Sequence, residues 1–121
     1  MEHRIIKIAL LSLVGFTSCY YDVEENLYPK NECVTTNLSF VADIQPILER
    51  NCYACHSAAA NTANVTLEGH SQLLHQISNG RLLGAIRHDQ GYTPMPQGAP
   101  KLIACDIAKI EQWVNDGAPN N

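Results

Sequence analysis

Five consecutive residues, Cys52-Tyr53-Ala54-Cys55-His56, constrain the fold of this chain more than any other feature. They form the Cys-x-x-Cys-His pattern, in which two thiols add across the vinyl groups of one haem and the adjacent imidazole binds its iron. Two intervening residues separate the sulfurs far enough to reach both vinyl groups. The sequence therefore predicts one covalent haem c, attached through Cys52 and Cys55, with His56 as an axial iron ligand.

Two other uses of a Cys-x-x-Cys pair are less consistent with this sequence. A zinc site needs two further ligands at paired spacing, and the sequence has no second Cys-x-x-Cys. A thioredoxin-like redox pair needs a preceding strand and a βαβ context. The chain has no β-type alternation of useful length, so haem attachment is the favoured interpretation.

The size and charge of the chain limit what else it can be. Its 121 residues allow one domain with one core and one site, and the 45% hydrophobic content is typical of a globular fold. The formal net charge is −4, and the Lys and Arg residues are scattered. We therefore expect no nucleic-acid partner, since phosphate binding needs a clustered basic surface.

The N-terminus has the features of an export signal. Arg4 and Lys7 precede an apolar run over residues 8–16, which is too short to span a bilayer. The next residues, Phe-Thr-Ser-Cys, resemble the lipobox of bacterial lipoproteins, with Phe where Leu is usual. That resemblance implies a signal peptide over 1–18 and a diacylglycerol on Cys19. An ordinary signal peptide with an incidental Cys is the alternative.

These features predict an exported protein that is lipid-anchored to a bacterial membrane. The anchor would lie on the periplasmic side or on the outer surface of the outer membrane. Asp22, Glu24 and Glu25 resemble the acidic stretch that directs some lipoproteins to the cell surface, although a solvated linker is equally acidic. Residues 19–38 lack sustained periodicity and are predicted to be a tether, which leaves 39–121 as the domain.

The first predicted helix runs from 43 to 51 and leads directly into the haem motif. Its apolar residues share a helical spacing: Phe40, Ile44, Ile47 and Leu48. We expect Asp43 to be the N-cap, because Pro46 then lies in the first turn, where a missing amide has no helical partner.

Three more helices are predicted after the motif. Ser71 is expected to cap a helix that stops at Asn79-Gly80, a favourable left-handed C-terminal pair. A further short helix with Leu82, Leu83 and Ile86 follows and is expected to end before Gly91. The last helix covers 106–115. Its apolar face is expected to combine Ile103, Ile107, Ile110 and Val114, with Trp113 beside them.

The haem motif after a first helix, followed by a late methionine loop, resembles a class I monohaem cytochrome c domain over residues 39–118. The chain is most similar to small haem domains of exported Bacteroidota-type lipoproteins. The resemblance implies an all-α, cytochrome c-like fold whose N- and C-terminal helices cross around one covalent haem. It also implies that His56 binds one face of the iron and a methionine binds the other.

Met95 is the expected methionine ligand. The chain has two methionines, and Met1 would leave with the signal peptide. Met95 stands between Pro94 and Pro96, in a stiff segment that can hold a weak ligand at low entropic cost. His88 is the main alternative ligand for the sixth iron position, and His70 and His75 are the next alternatives.

The remaining cysteines form an even pair. Of five cysteines, one is assigned to lipid and two to haem, which leaves Cys33 and Cys105 in an oxidising compartment. A disulfide is expected between them, because the crossing-helix fold would bring the two chain segments together. Two unpaired buried thiols are the alternative.

The predicted function is electron transfer to and from redox partner proteins whose identity the sequence does not reveal. Met/His ligation raises the reduction potential relative to bis-His and leaves no open position for a substrate. No general acid, base, nucleophile or phosphate loop stands beside the site, so we do not expect an enzyme. A ligand-binding haem domain, either a gas sensor or a peroxidase-like enzyme, is the alternative. A haem-free structural lipoprotein is the third hypothesis.

Overall fold

The structure is a computed structural model that describes residues 33–121, which form one compact unit, Cys33–Asn121. The signal peptide predicted over 1–18, lipid attachment at Cys19 and the tether up to residue 32 lie outside the described residues. The end of the predicted tether belongs to the compact unit, since Leu38 is buried in its core. None of the helices described over 33–121 is both long and apolar enough to cross a membrane.

Helices are the regular secondary structure of the described chain, which confirms the predicted all-α class, and no strand occurs between residues 33 and 121. Five α-helices follow one another: α1 Gln45–Asn51, α2 Tyr53–His56, α3 His70–Ser78, α4 Arg81–Arg87 and α5 Ala104–Asn115. A π-helical turn, Phe40–Ile44, runs directly into α1, and a 3₁₀ turn, Thr62–Asn64, lies between α2 and α3.

The helical stretch before the haem motif begins earlier than predicted, at Phe40, with Ser39 as its N-cap. The Oγ of Ser39 accepts a hydrogen bond from Ala42 N–H (3.3 Å), and Asp43 Oδ2 accepts one from Ser39 N–H (3.0 Å). The prediction that Asp43 is the N-cap is therefore wrong. Its carboxylate instead accepts a hydrogen bond from the backbone N–H of the N-cap residue, as in a capping box lengthened by one residue.

The π turn explains how the helix accommodates Pro46, the second residue of α1. Proline has no N–H and its ring crowds the carbonyl four residues earlier in a regular helix. Ile44 N–H reaches back to Ser39 O (3.3 Å), five residues away, so the turn before the proline is wider than in an α-helix.

The helices α3 and α4 end where the sequence indicated. Asn79 is the C-cap of α3 and Gly80 takes a left-handed conformation with φ 72°, which confirms the predicted stop. The predicted cap at Ser71 is wrong, because α3 begins at His70 after Gly69, whose φ of 90° suits glycine. Helix α4 ends at Arg87, followed by His88 in the left-handed region.

The core joins the two ends of the domain. The Phe40 ring stacks on Trp113 of α5 with centroids 5.5 Å apart, and Trp113 is fully buried. Lys109 Nζ lies 3.3 Å from Asp43 Oδ1, which adds an ion pair between the same segments. Phe40 N–H also donates to Asn121 Oδ1 (2.9 Å). The first and last helical segments are therefore in direct contact.

The last helix differs from prediction at its start. Helix α5 begins at Ala104 rather than at residue 106, with Ile103 as its N-cap. Ile103 was expected on the apolar face but is 67% exposed, because it precedes the helix and does not share its periodicity. Cys105 lies in the first turn, and its Cα is 5.5 Å from that of Cys33, with the two sulfurs at disulfide distance.

Candidate functional site

A cavity of about 720 Å³ lies between the haem motif, α4 and the loop that follows α4. Cys52, Cys55, His56 and Met95 all line it, although the methionine is distant from the motif in sequence. The volume falls within the roughly 300–1,000 Å³ of typical cofactor and ligand pockets. The structure thus brings the four residues predicted to hold a haem to one cavity.

The backbone of the motif is a single helical turn that begins at Cys52. Cys52 N–H donates to Leu48 O at the end of α1 (2.8 Å), and its φ and ψ of −127° and −39° separate α1 from α2. Cys55 N–H and His56 N–H both donate to Cys52 O, at 3.1 and 2.9 Å. This turn directs all three side chains of the motif to one cavity.

The imidazole of His56 has a defined tautomer. Its Nδ1 lies 3.1 Å from the carbonyl oxygen of Val65. A carbonyl oxygen only accepts hydrogen bonds, so Nδ1 is the donor, and in the neutral imidazole Nε2 keeps a free lone pair. Histidines that bind metals are commonly oriented in this way, with one ring nitrogen donating to the protein and the other facing the metal.

Residues 65–68 support the motif through two further contacts. Leu67 N–H donates to His56 O (2.8 Å), and Leu67 is buried against the core. Glu68 Oε2 accepts a hydrogen bond from Ala58 N–H (2.7 Å), two residues after the histidine. Sequence reasoning missed this supporting segment, and the apolar residues at 65 and 67 were the only signal for it.

Met95 is attached to the end of α4 through its own backbone. Its N–H donates to Ala85 O and its carbonyl oxygen accepts from His88 Nε2, both at 3.0 Å. Its side chain is half-buried and lines the cavity. The loop thus holds the thioether of Met95 at the cavity.

The other three histidines of the described chain do not line the cavity. His70 Nε2 donates to Ala118 O (2.8 Å), and its ring lies edge-on to Phe40 with centroids 5.1 Å apart. His75 is exposed on α3, and its Nδ1 lies 3.2 Å from the amide nitrogen of Gln76. His88 bonds to the Met95 loop. Among residues 33–121, His56 is therefore the histidine available to the cavity.

The cavity walls are mainly apolar, and the polar groups belong to a few residues. Arg81 is the one permanently charged side chain among the described lining residues, which include no Asp or Glu. Tyr92 and Gln97 also line the cavity, whereas Trp113 lies in the core. The sequence could not separate these side chains from ordinary surface residues, because they come from different segments of the chain.

The two motif thiols differ in environment. Burial raises the pKa of the Cys52 thiol to about 11, whereas Cys55 is exposed. Burial also raises the pKa of Tyr53, and the nearby carboxylates of Glu49 and Glu68 raise it further. Cys55 is thus the more accessible of the two thiols.

No group of three or more His, Cys, Asp or Glu side chains within residues 33–121 is arranged to hold a metal ion. A haem iron needs no such cluster from the protein, since the porphyrin supplies four of its ligands and the axial pair can be one histidine and one methionine. The residues present therefore fit a haem by cavity size, attachment motif and axial donors.

Comparison of the chain with protein-family models, with curated proteins and with solved structures gave no match.

Proposed function

We propose that this is a helical protein with one covalently attached haem, of the c type. The observation that carries the proposal is that the Cys-x-x-Cys-His turn and Met95 line the same cavity. Within that class, we propose an electron-transfer cytochrome with a class I-like fold, exported and anchored by a lipid on Cys19. Its partners would be redox proteins, reached from the periplasmic side or outer surface of a bacterial membrane.

In this proposal Cys52 and Cys55 form the two thioether bonds, and Nε2 of His56 and the sulfur of Met95 are the axial ligands. The haem supplies a one-electron iron couple when it is bound. The hydrogen bond from His56 Nδ1 to Val65 O supports this ligand set, because it holds the imidazole in the tautomer that a metal ligand needs.

The remaining lining residues would exclude water from a bound haem, and one of them would pair with a haem carboxylate. Leu67, Leu82 and Ile86 are buried at the cavity wall and would cover the apolar face of the macrocycle. Arg81 is exposed at the cavity and supplies a guanidinium for a propionate. Two protein ligands on the iron leave no open position, which favours electron transfer over substrate binding.

The test is the visible spectrum of the oxidised and reduced protein, made in a host that attaches c haem. Wild type should retain its chromophore after denaturation and show a sharp reduced α-band. The oxidised form should show the weak band near the red end of the spectrum that a thioether bound to ferric iron produces.

Met95→Leu is the informative variant, because leucine keeps the volume and removes the sulfur. It should lose the sulfur band, keep the covalent haem and bind carbon monoxide rapidly. A wild type without covalent chromophore would overturn the proposal in favour of a haem-free protein. A wild type with haem but without the sulfur band would overturn Met95 ligation in favour of bis-His ligation or a ligand-binding haem domain.

A further inference from the structure

His88 occupies an unusual backbone position at the end of α4. Its φ of 58° lies in the left-handed region, which few residues other than glycine adopt and which histidine, asparagine and aspartate tolerate better than most. Its N–H donates to Ala85 O (3.2 Å), which closes the helix. The left-handed residue turns the chain at the point where it leaves α4 for the loop that carries Met95.

The imidazole of His88 is bonded to that loop. Its Nε2 lies 3.0 Å from the carbonyl oxygen of Met95, and because a carbonyl only accepts, Nε2 is the donor. Met95 N–H donates to Ala85 O (3.0 Å), the same oxygen that accepts from His88 N–H. Both backbone polar groups of Met95 are thus bonded to the last turn of α4.

These two bonds matter more in this loop than they would elsewhere. Pro94 and Pro96 flank Met95 and have no N–H, so neither neighbour can donate a hydrogen bond that fixes the loop. The position of the Met95 backbone therefore depends strongly on its own N–H and carbonyl groups.

We propose that His88 is a positioning residue, which holds Met95 at the cavity by donating from Nε2 to the Met95 carbonyl and does not bind the iron. The inference rests on the proposed haem site. His88 does not line the cavity, and its Nε2 is engaged by the carbonyl oxygen of Met95. Loss of this bond increases the fraction of protein in which the thioether is detached.

The experiment compares two substitutions at this position in the haem-loaded protein. His88→Asn keeps a residue that tolerates the left-handed conformation, but its amide is too short to reach Met95. His88→Gln places an amide N–H near the position of Nε2. His75→Asn, an exposed histidine on α3, is the matched control. The rate of carbon monoxide binding to the reduced protein reports the detached fraction.

We expect His88→Asn to bind carbon monoxide about fivefold faster than wild type, which is the change in equilibrium for one hydrogen bond of ordinary strength. The oxidised sulfur band should weaken in parallel. His88→Gln should restore both properties, and His75→Asn should match wild type. Equal rates in His88→Asn and wild type, or no recovery in His88→Gln, would overturn the proposal.

A measurement on the unaltered protein tests the same bond without a substitution. The ¹⁵N chemical shifts of His88 in the reduced, diamagnetic protein should show the proton on Nε2; a proton on Nδ1 alone would exclude the bond. If wild type lacks the sulfur band, the proposed axial ligands fail, and the role of His88 fails with them. If wild type has the sulfur band and only the His88 results disagree, the haem proposal is retained and the role of His88 is rejected.

Discussion

The Nδ1 of His56 lies 3.1 Å from the carbonyl oxygen of Val65, nine residues further along the chain. The two residues belong to different segments, and residues 65–68 hold the carbonyl in place. Leu67 anchors that segment, since its side chain is buried and its N–H donates to His56 O. The orientation of the candidate iron ligand therefore depends on how well a neighbouring loop is packed.

Leu67→Ala should lower the free energy of unfolding by about 3 kcal/mol, as expected for a buried leucine. In the reduced haem-loaded protein, the Nδ1 proton of His56 should also exchange faster with solvent. Denaturant unfolding and proton NMR measure the two effects. Leu74→Ala, at a leucine on α3 that is 38% exposed, is the control and should change neither property appreciably. An unchanged exchange rate in Leu67→Ala would contradict the supporting role.

The carboxylate of Asp43 should make the free energy of unfolding depend on pH in the acidic range. Its pKa is lowered mainly by the hydrogen bond from Ser39 N–H; burial opposes this shift, and Lys109 lowers the pKa further. The stabilising contribution is therefore present above the unfolded-state pKa near 3.8 and is lost as the pH falls through the folded-state value.

Asp43→Asn should reduce the free energy of unfolding by about 1 kcal/mol at pH 7, a value kept small because the side chain stays 30% exposed and solvent screens its charge. The difference from wild type should shrink as the pH falls below 3.8 and through the lowered folded-state pKa. Urea unfolding at pH 7, 4 and 2.5 measures this. Asp89→Asn, at an exposed aspartate, serves as the control. A constant difference at every pH would exclude an ionised Asp43 as its source.

Removal of the Cys33–Cys105 bridge should destabilise the domain. The bridge closes a sequence separation of 72 residues, which in the chain-entropy model corresponds to about 4 kcal/mol. The double variant Cys33→Ser, Cys105→Ser should therefore unfold at markedly lower denaturant concentration. Reduction of wild type by a thiol should produce the same shift and have no effect on the variant. Equal stability of the two proteins would show that the cysteines are not paired in solution.

Tyr53 should affect stability at alkaline pH. Burial raises its pKa above the ordinary value near 10, and the charges of Glu49 and Glu68 raise it further. A raised folded-state pKa means that stability is lost as the pH rises above about 10, because the unfolded chain ionises first. Tyr53→Phe should lose less stability than wild type between pH 9 and 11 in thermal unfolding scans. Parallel losses in the two proteins would refute the assignment.

Local signals predicted much of the fold. The helix stop at Asn79-Gly80 and the final helix up to Asn115 follow from short-range rules, and the structure has both. The same rules failed at Asp43 and Ser71, where another capping arrangement was available nearby. Such errors shift a predicted N-cap by only a few residues, but they change which side chain bonds to the backbone.

By itself the sequence determined the chemistry that is available: two thiols and an imidazole on one helical turn, and a thioether between two prolines. Tertiary structure alone decided that Met95 shares a cavity with that turn, that Val65 orients His56, and that His88 bonds to the methionine loop. The physical reason is the separation along the chain of the residues involved. Spacing within one turn depends on backbone geometry that neighbouring residues specify, whereas these contacts join distant segments whose approach depends on how the whole core packs.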